Sequence, residues 1–317
     1  YDTYTSPLAT RNASEEMLRL WSPRHKFNTW RRIWLAVAEA QHRIATTYVG
    51  RDRFNLPISS EQVEELRAVV DRPGGITDSE LAAAEAYELQ LRHDVMAHVH
   101  VLGDQCPKAR GIIHLGLTSQ DVVCNADYLI LIASLRHIEL KVLRVISTLA
   151  TIASANKAVA ALGYTHYQPA QPVTVGRRMA QWADDLHLCR RRLWAIKDGI
   201  LPRGLKGATG TQAALCALFE GDGLGIDLME DDAVGRFMVC ITKNWASGSA
   251  FDTESDRALN YDFSLRLASQ TYPRVVDTFI LADLASTASV LHKIATDIRL
   301  LCNRKELDEP FEDKQIG

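Results

Sequence analysis

The chain of 317 residues carries a net charge of −3, with 47% hydrophobic and 24% charged residues. Such a length can bury a sizeable core in one large domain or two, and the composition excludes a disordered chain. The near-neutral charge gives no global basic field for nucleic acid or anionic lipid, and the lack of a long uncharged apolar run argues against a membrane span.

Helix signals come first along the chain. Ser22-Pro23 reads as N-cap and first helical residue, after which Phe27, Trp30, Trp34 and Val37 recur at helical spacing. Thr77 and Glu80 resemble a capping box ahead of a helix that approaches residue 90. Between Gly116 and Gly163 there is neither glycine nor proline, and Thr118 with Asp121 can cap a helix there. It would exceed roughly 30 residues, or about 45 Å at the usual rise. The stretch "GYTHYQPAQPVTVG" (163–176) breaks this pattern, because Pro169 and Pro172 forbid a continuous helix; a shaped loop is expected.

Helix resumes over Thr174 to Lys197. Residues 221–268 are acidic and irregular and read as a surface insertion. A last long helix is predicted over Arg274 to Glu309, again without glycine or proline. Helices of this length cannot bury themselves around one compact core. The predicted architecture is therefore all-α, with an N-terminal helical domain over 1–117 and a long helical bundle over 118–317 that continues into partner subunits. Cysteines at 106, 124, 189, 216, 240 and 302 lack CxxC pairing or a disulfide or zinc spacing. Together with the absence of a signal-peptide pattern in "YDTYTSPLAT", they lead us to expect a cytoplasmic protein.

Four segments carry candidate chemistry. "LRHDVMAHVH" sets Arg92, His93 and Asp94 in a row, with His98 and His100 behind. A metal site is disfavoured, since His93 and His98 fall on different helix faces and nothing completes the set; a capped helix start with solvated charges is the plain alternative. "GIIHLGLTSQDVV" puts Thr118 and Ser119 at a helix start, where free N–H groups suit a carboxylate or phosphate, or serve simple capping. "PRGLKGATGTQAAL" matches no nucleotide-binding fingerprint; Gly204, Gly207 and Gly210 make a tight turn or a close backbone approach, and Lys206 adds a cation. In "GYTHYQPAQ", His166 is either satisfied by its polar neighbours in a buried loop or poised to exchange a proton near neutrality. Together the four describe a site rich in anion donors and imidazoles.

In order, "SPLATRNAS", "RHDVMAHVH", "GIIHLGLTS", "GYTHYQPAQPVTVGRR", "RGLKGATGTQA", "SQTYPRVVD", "HKIATDIRLL" and "EPFEDKQIG" resemble segments of the adenylosuccinate lyases of animals and fungi, within the fumarase/aspartase superfamily. The resemblance runs from residue 4 to 317 and blurs only between 221 and 268. It implies a fumarase-like bundle, a homotetramer, and active sites each assembled from three chains. It also implies cleavage of adenylosuccinate to AMP and fumarate, and of SAICAR to AICAR and fumarate, in purine nucleotide biosynthesis, with neither metal nor organic cofactor. Such an elimination needs a base to take a proton beside a carboxylate, stabilisation of the carbanion, and an acid for the departing nitrogen.

By resemblance His166 is that acid, with Thr165 and Gln168 as polar supports. Arg92, His93 and Asp94 fall where the family contacts the nucleotide, and Thr118 and Ser119 where it contacts the succinyl group or its surroundings. Gln270 matches a substrate-contacting glutamine. Arg11 meets the phosphate end with Asn12 beside it, and Lys206 is a candidate support. Departures from the family are Asn12 for a tyrosine, Cys124 for an aspartate, and Ser269 and Val275 for glycine and lysine; they bear on affinity more than on reaction type. The family's serine base and C-terminal domain follow the segment that ends here at Gly317, so residues 1–317 alone are expected to lack lyase activity. The alternatives are another lyase of the superfamily, argininosuccinate lyase or fumarase, and a non-catalytic helical scaffold, against which the retained His93, His166 and Gln270 count.

Overall fold

The computed structural model describes residues 2–4, 6–48, 54, 56–243, 264–308, 310 and 312–315. Short helices α1 (Ala9–Asn12) and α2 (Glu15–Leu20) lead into α3 (Pro23–Thr47), whose N-cap Ser22 accepts from His25 N at 3.1 Å. Then come α4 (Ser60–Val70), α5 (Asp78–Leu91) and α6 (Asp94–Gln105). The capping box at Thr77 and Glu80 forms with both of its arms. Helix α7 (Ser119–Ala155) runs 37 residues, and Asp121 Oδ2 accepts from Thr118 N at 2.8 Å, as the sequence leads one to expect. Strands β1 (Ala160–Thr165) and β2 (Gln168–Thr174) precede α8 (Val175–Gly199), α9 (Ala213–Leu218), α10 (Gly223–Lys243) and α11 (Val275–Asn303). Among the described residues the fold is helical, with one small β-ribbon.

The chain divides into two compact units, Tyr1–Ser134 with Leu201–Pro273 and Leu135–Ile200 with Arg274–Gly317. In the first unit, Trp30, Trp34, Leu66, Leu102, Ile113, Val122, Phe219 and Phe237 form one buried cluster. Removing a side chain of this size from water stabilises the fold by about 1.5–3 kcal/mol.

Helix α10 corrects an expectation. Its segment reads as an irregular surface insertion, yet Ile226, Met229, Ala233, Val234 and Phe237 recur on one face and are buried against the same core as α3. The charges of Asp227, Asp231 and Asp232, between these apolar positions, and the glycines at 221, 223 and 225 disguise the helical period. Residues 244–263 of that stretch lie outside the described residues.

In the second unit α8 packs along α11. Trp182 Nε1 donates to Asp297 Oδ2 at 3.1 Å and Arg192 Nε to Asp283 Oδ1 at 2.6 Å. Glu139, on the second-unit part of α7, accepts from Lys197 Nζ at 2.8 Å and faces Arg190 at 3.3 Å. The start of α8 seals the end of α7 through Gly176 N to Asn156 O at 3.0 Å. A Cβ at Gly176 would run into the Ala153 carbonyl and come within 2.7 Å of Lys157 Cα, so only glycine permits this approach. Helix α11 also amends an expectation: by length and composition it is apolar enough to cross a membrane. Its carboxylates at 283 and 297 are nevertheless tied to α8, and Phe279 and Leu281 on its open side are 51% and 65% exposed.

The segment expected as a shaped loop is a hairpin. Ala160 pairs with Thr174, Leu162 with Pro172, Tyr164 with Pro169 and Thr165 with Gln168, with a bulge between Leu162 and Tyr164. The prolines do forbid helix. Because the ribbon has only two strands, each proline can turn its missing N–H away from the partner strand.

Candidate active site

The hairpin turn consists of His166 and Tyr167, with φ of 52° and 59°. Because Thr165 pairs with Gln168, the loop has two residues, and left-handed backbone at both is the geometry of a type I′ turn. Asn-Gly adopts it readily; an ordinary L residue pays about 1–2 kcal/mol for that conformation. Neighbours in the second unit hold the strained turn in place. Tyr167 Oη donates to Asn303 Oδ1 at 2.9 Å, and Arg304 Nη2 donates to the Tyr167 carbonyl at 2.8 Å. The Arg304 guanidinium lies 4.3 Å from the Tyr167 ring centre and 5.2 Å from that of Tyr164. Tyr164 Oη donates to Glu306 Oε1 at 2.7 Å, which raises the phenol above its usual pKa. Arg178 joins the same carboxylate at 3.0 Å and the Leu162 carbonyl at 2.9 Å. The His166 imidazole is exposed, as are Thr165 and Gln168. The alternative of a buried, self-satisfied loop is thereby set aside.

In the first unit the start of α7 is a junction. Asp121 is fully buried; besides Thr118 N, it accepts from Lys206 N at 2.9 Å, Gly207 N at 3.1 Å and Arg203 Nη1. Arg203, equally buried, donates to the Gly207 carbonyl at 2.7 Å and the Ser269 carbonyl at 2.8 Å. Asn125, one turn along, bonds Gly204 through both its amide N–H and its oxygen, each at 3.0 Å. Gly204 has φ 76°, and a Cβ there would strike the Glu230 carboxylate. Half-buried Thr118 and Ser119, the glycine loop, and exposed Gln270 beside the anchored Ser269 thus share one neighbourhood.

Lys206 faces inward. Its Nζ is 2.7 Å from Glu230 Oε1, and Glu230 also accepts from Leu205 N at 3.1 Å, Ser264 Oγ at 2.8 Å and Gln212 Nε2 at 2.7 Å. The ammonium is committed to anchoring the loop on α10. Cys124, where the resemblance expects an aspartate, is buried, with its Sγ 3.1 Å from Gln120 Oε1.

Arg92 caps the end of α5 in left-handed backbone, and His93 caps the start of α6, its Nδ1 accepting from Met96 N at 3.4 Å. Arg92, His93 and Asp94 are therefore exposed on a sharp bend between two helices. The other histidines of this motif go elsewhere. His98 is stacked on Phe27 at 3.8 Å, and burial pushes its pKa down to about 4. His100 stacks on Tyr87 at 5.2 Å and meets Arg110 Nη2 at 3.2 Å. The three share no ligand set.

Sequence reasoning missed His114. Its Nδ1 accepts from Trp34 Nε1 at 3.0 Å, and burial lowers its pKa to about 4, with the charges of Asp121 and His93 both close enough to act on it. A neutral imidazole therefore stands near both His93 and the junction. Its place in "GIIHLGLTS", just ahead of Thr118, was the available signal. Arg11 and Asn12 are exposed on α1, Asn12 beside a groove lined by Tyr4, Met17 and Trp21.

The family model described as "Lyase" matches residues 75–220. The fold resembles a fumarate lyase from Mesorhizobium sp. BNC1, with a TM-score of 0.69 at 20% identity over 91% of this chain and 57% of that one. It also resembles 3-carboxy-cis,cis-muconate lactonizing enzyme from Pseudomonas putida, with a TM-score of 0.70 at 21% identity over 94% of this chain and 58% of that one. The lyase model thus covers the middle of the chain, and both solved structures share its fold. All of its length is similar to adenylosuccinate lyases, at 41% identity to that of Saccharomyces cerevisiae and 39% to that of Schizosaccharomyces pombe. It spans 58% of the length of each of these curated relatives.

Proposed function

We propose that the protein is an adenylosuccinate lyase, eliminating fumarate from adenylosuccinate to leave AMP, and from SAICAR to leave AICAR. The observation that carries this reading is the 41% identity over all 317 residues, which takes in both the His166 hairpin and the α7 junction. His166 protonates the departing nitrogen. The junction, with Thr118, Ser119 and Gln270, receives the succinyl carboxylates, where fixed N–H donors stabilise negative charge as it develops on the carbanion. Arg92, His93 and Asp94 hold the nucleotide, and Arg11 with Asn12 its phosphate end.

The protein acts as a homotetramer with sites shared between subunits, in the cytoplasm and in purine nucleotide biosynthesis. The open faces of the long helices support the oligomer: Leu188, Trp194, Phe279 and Leu281 are at least half exposed, an apolar area that soluble monomers avoid. An ultraviolet assay of the whole protein tests the activity against adenylosuccinate, SAICAR, argininosuccinate and fumarate. Loss of adenylosuccinate and SAICAR alone is expected; turnover only of argininosuccinate or fumarate would reject the reading. Sedimentation equilibrium checks the tetramer, and a stable monomer would refute it.

A further inference from the structure

We propose that the buried Asp121–Arg203 pair is a positioning device that sets Gln270 and the Gly204–Gly207 loop in register with the Thr118–Ser119 helix start, so that substrate contacts from three segments act as one. The inference rests on the adenylosuccinate lyase reading.

A pair needed only for packing could be replaced by apolar side chains at little cost. This one is wired differently. Apart from the Arg203 Nη1–Asp121 contact itself, its polar groups end on backbone, within their own segment and beyond it: Asp121 on Thr118 N beside it and on Lys206 N and Gly207 N across the junction, and Arg203 on the Gly207 carbonyl of its own loop and on the Ser269 carbonyl of a third segment. Both side chains are buried to within 1% of completely. The proposed substrate contacts are immediate neighbours of these anchored atoms, since Ser119 follows Thr118 and Gln270 follows Ser269. Arg203 Nε adds a second bond to the Ser269 carbonyl at 3.3 Å, so the peptide ahead of Gln270 is gripped from two nitrogens of one planar group. Lysine offers a single rotating point charge and cannot reproduce that grip. Misplacing a substrate contact by about 1 Å can lower turnover about a hundredfold, which is why a device of this kind matters to the reaction.

The test is a double-mutant cycle in the whole protein, with Arg203→Lys and Gln270→Ala read by KM for adenylosuccinate. Each single change should raise KM about tenfold, and the double change should raise it no further, because Gln270 already lacks its position when Arg203 is gone. Independent effects, multiplying to about a hundredfold, would overturn the proposal. Amide hydrogen exchange gives a readout that needs no activity: in Arg203→Lys the N–H groups of Thr118, Lys206 and Gly207 should lose protection together. Unchanged exchange there would also overturn it. If the unaltered protein fails to cleave adenylosuccinate, the functional reading falls and the exchange measurement alone decides the junction. Should Arg203→Lys not fold, Asp121→Asn, which keeps the shape and removes the charge, carries the same cycle.

Discussion

Replacing Arg304 with alanine should cut turnover while leaving substrate affinity nearly intact. The change removes a guanidinium 4.3 Å from the Tyr167 ring centre and a 2.8 Å bond to the Tyr167 carbonyl. At an exposed site the cation–π contact is worth about 0.5–1 kcal/mol and the hydrogen bond about the same. Against them stand two left-handed residues, His166 and Tyr167, each strained by about 1–2 kcal/mol. What remains on Tyr167, its hydroxyl's bond to Asn303 at 2.9 Å and a longer one to the Leu300 carbonyl at 3.4 Å, offsets only part of that strain. Losing about 1–2 kcal/mol shifts the ratio of clamped to relaxed turn by about 5- to 30-fold, and kcat should fall by a similar factor.

KM should move less than about threefold, because a general acid contributes at the departing nitrogen in the transition state and not to initial binding. Steady-state kinetics on the whole protein measures both constants, and the three-bond coupling of the residue 166 amide proton reports its φ directly. In a Tyr167→Gly background, where the turn is unstrained at 167 and the ring is gone, Arg304→Ala should add much less. An unchanged kcat, or a change confined to KM, would refute the idea that the clamp holds the acid.

His166→Gln should lower turnover by about two to four orders of magnitude with little change in KM, measured in the same assay. The folded pKa values of His98 and His114, about 4 against an ordinary 6.5, lie below their unfolded values. Their contribution to stability is present above pH 6.5 and is lost as pH falls toward 4, by up to about 1.4 kcal/mol per pH unit for each. Urea titrations from pH 7 to 4.5 should show this decline, and His98→Phe, which keeps the stack on Phe27, should remove about half of it, leaving the part due to His114. Gly176→Ala should destabilise the second unit by about 1–3 kcal/mol through the clash with Ala153 and Lys157, read as a lower melting temperature. Lys206→Met, which strands Glu230 in the core, should cost about 3–5 kcal/mol by the same measurement.

The long helices were legible because their signals are local. Ser22-Pro23, the Thr77–Glu80 box and the glycine-free run after Thr118 each state where a helix starts, and the chain obeys them. The hairpin was half legible. Pro169 and Pro172 announce that no helix can form, but pairing depends on a partner strand and on left-handed His166-Tyr167, neither of which has a strong sequence mark. Helix α10 was missed because its apolar face is interleaved with carboxylates that the fold uses, Glu230 for Lys206 and Asp232 for Arg43 at 2.8 Å. The inward turn of Lys206 was unreadable for a related reason: its partner lies on α10, and no local pattern links the two.

The two ways in which the candidate residues are held suit different tasks. Groups that receive carboxylates must already be oriented when charge develops, since reorganising dipoles would consume the gain. On the proposed reaction the α7 junction would provide this with a buried ion pair whose remaining bonds end on backbone. A general acid has the opposite need, because it must regain its proton after each turnover and so must meet water between cycles. Buried His98 and His114, held neutral until about pH 4, cannot supply a proton at neutral pH. His166 stands on an exposed turn, fixed by its backbone and by what grips Tyr167, and not through its own ring. On the proposed reaction, that arrangement fixes where His166 leaves the backbone while leaving both of its nitrogens open to substrate and solvent, which is what a reusable acid requires.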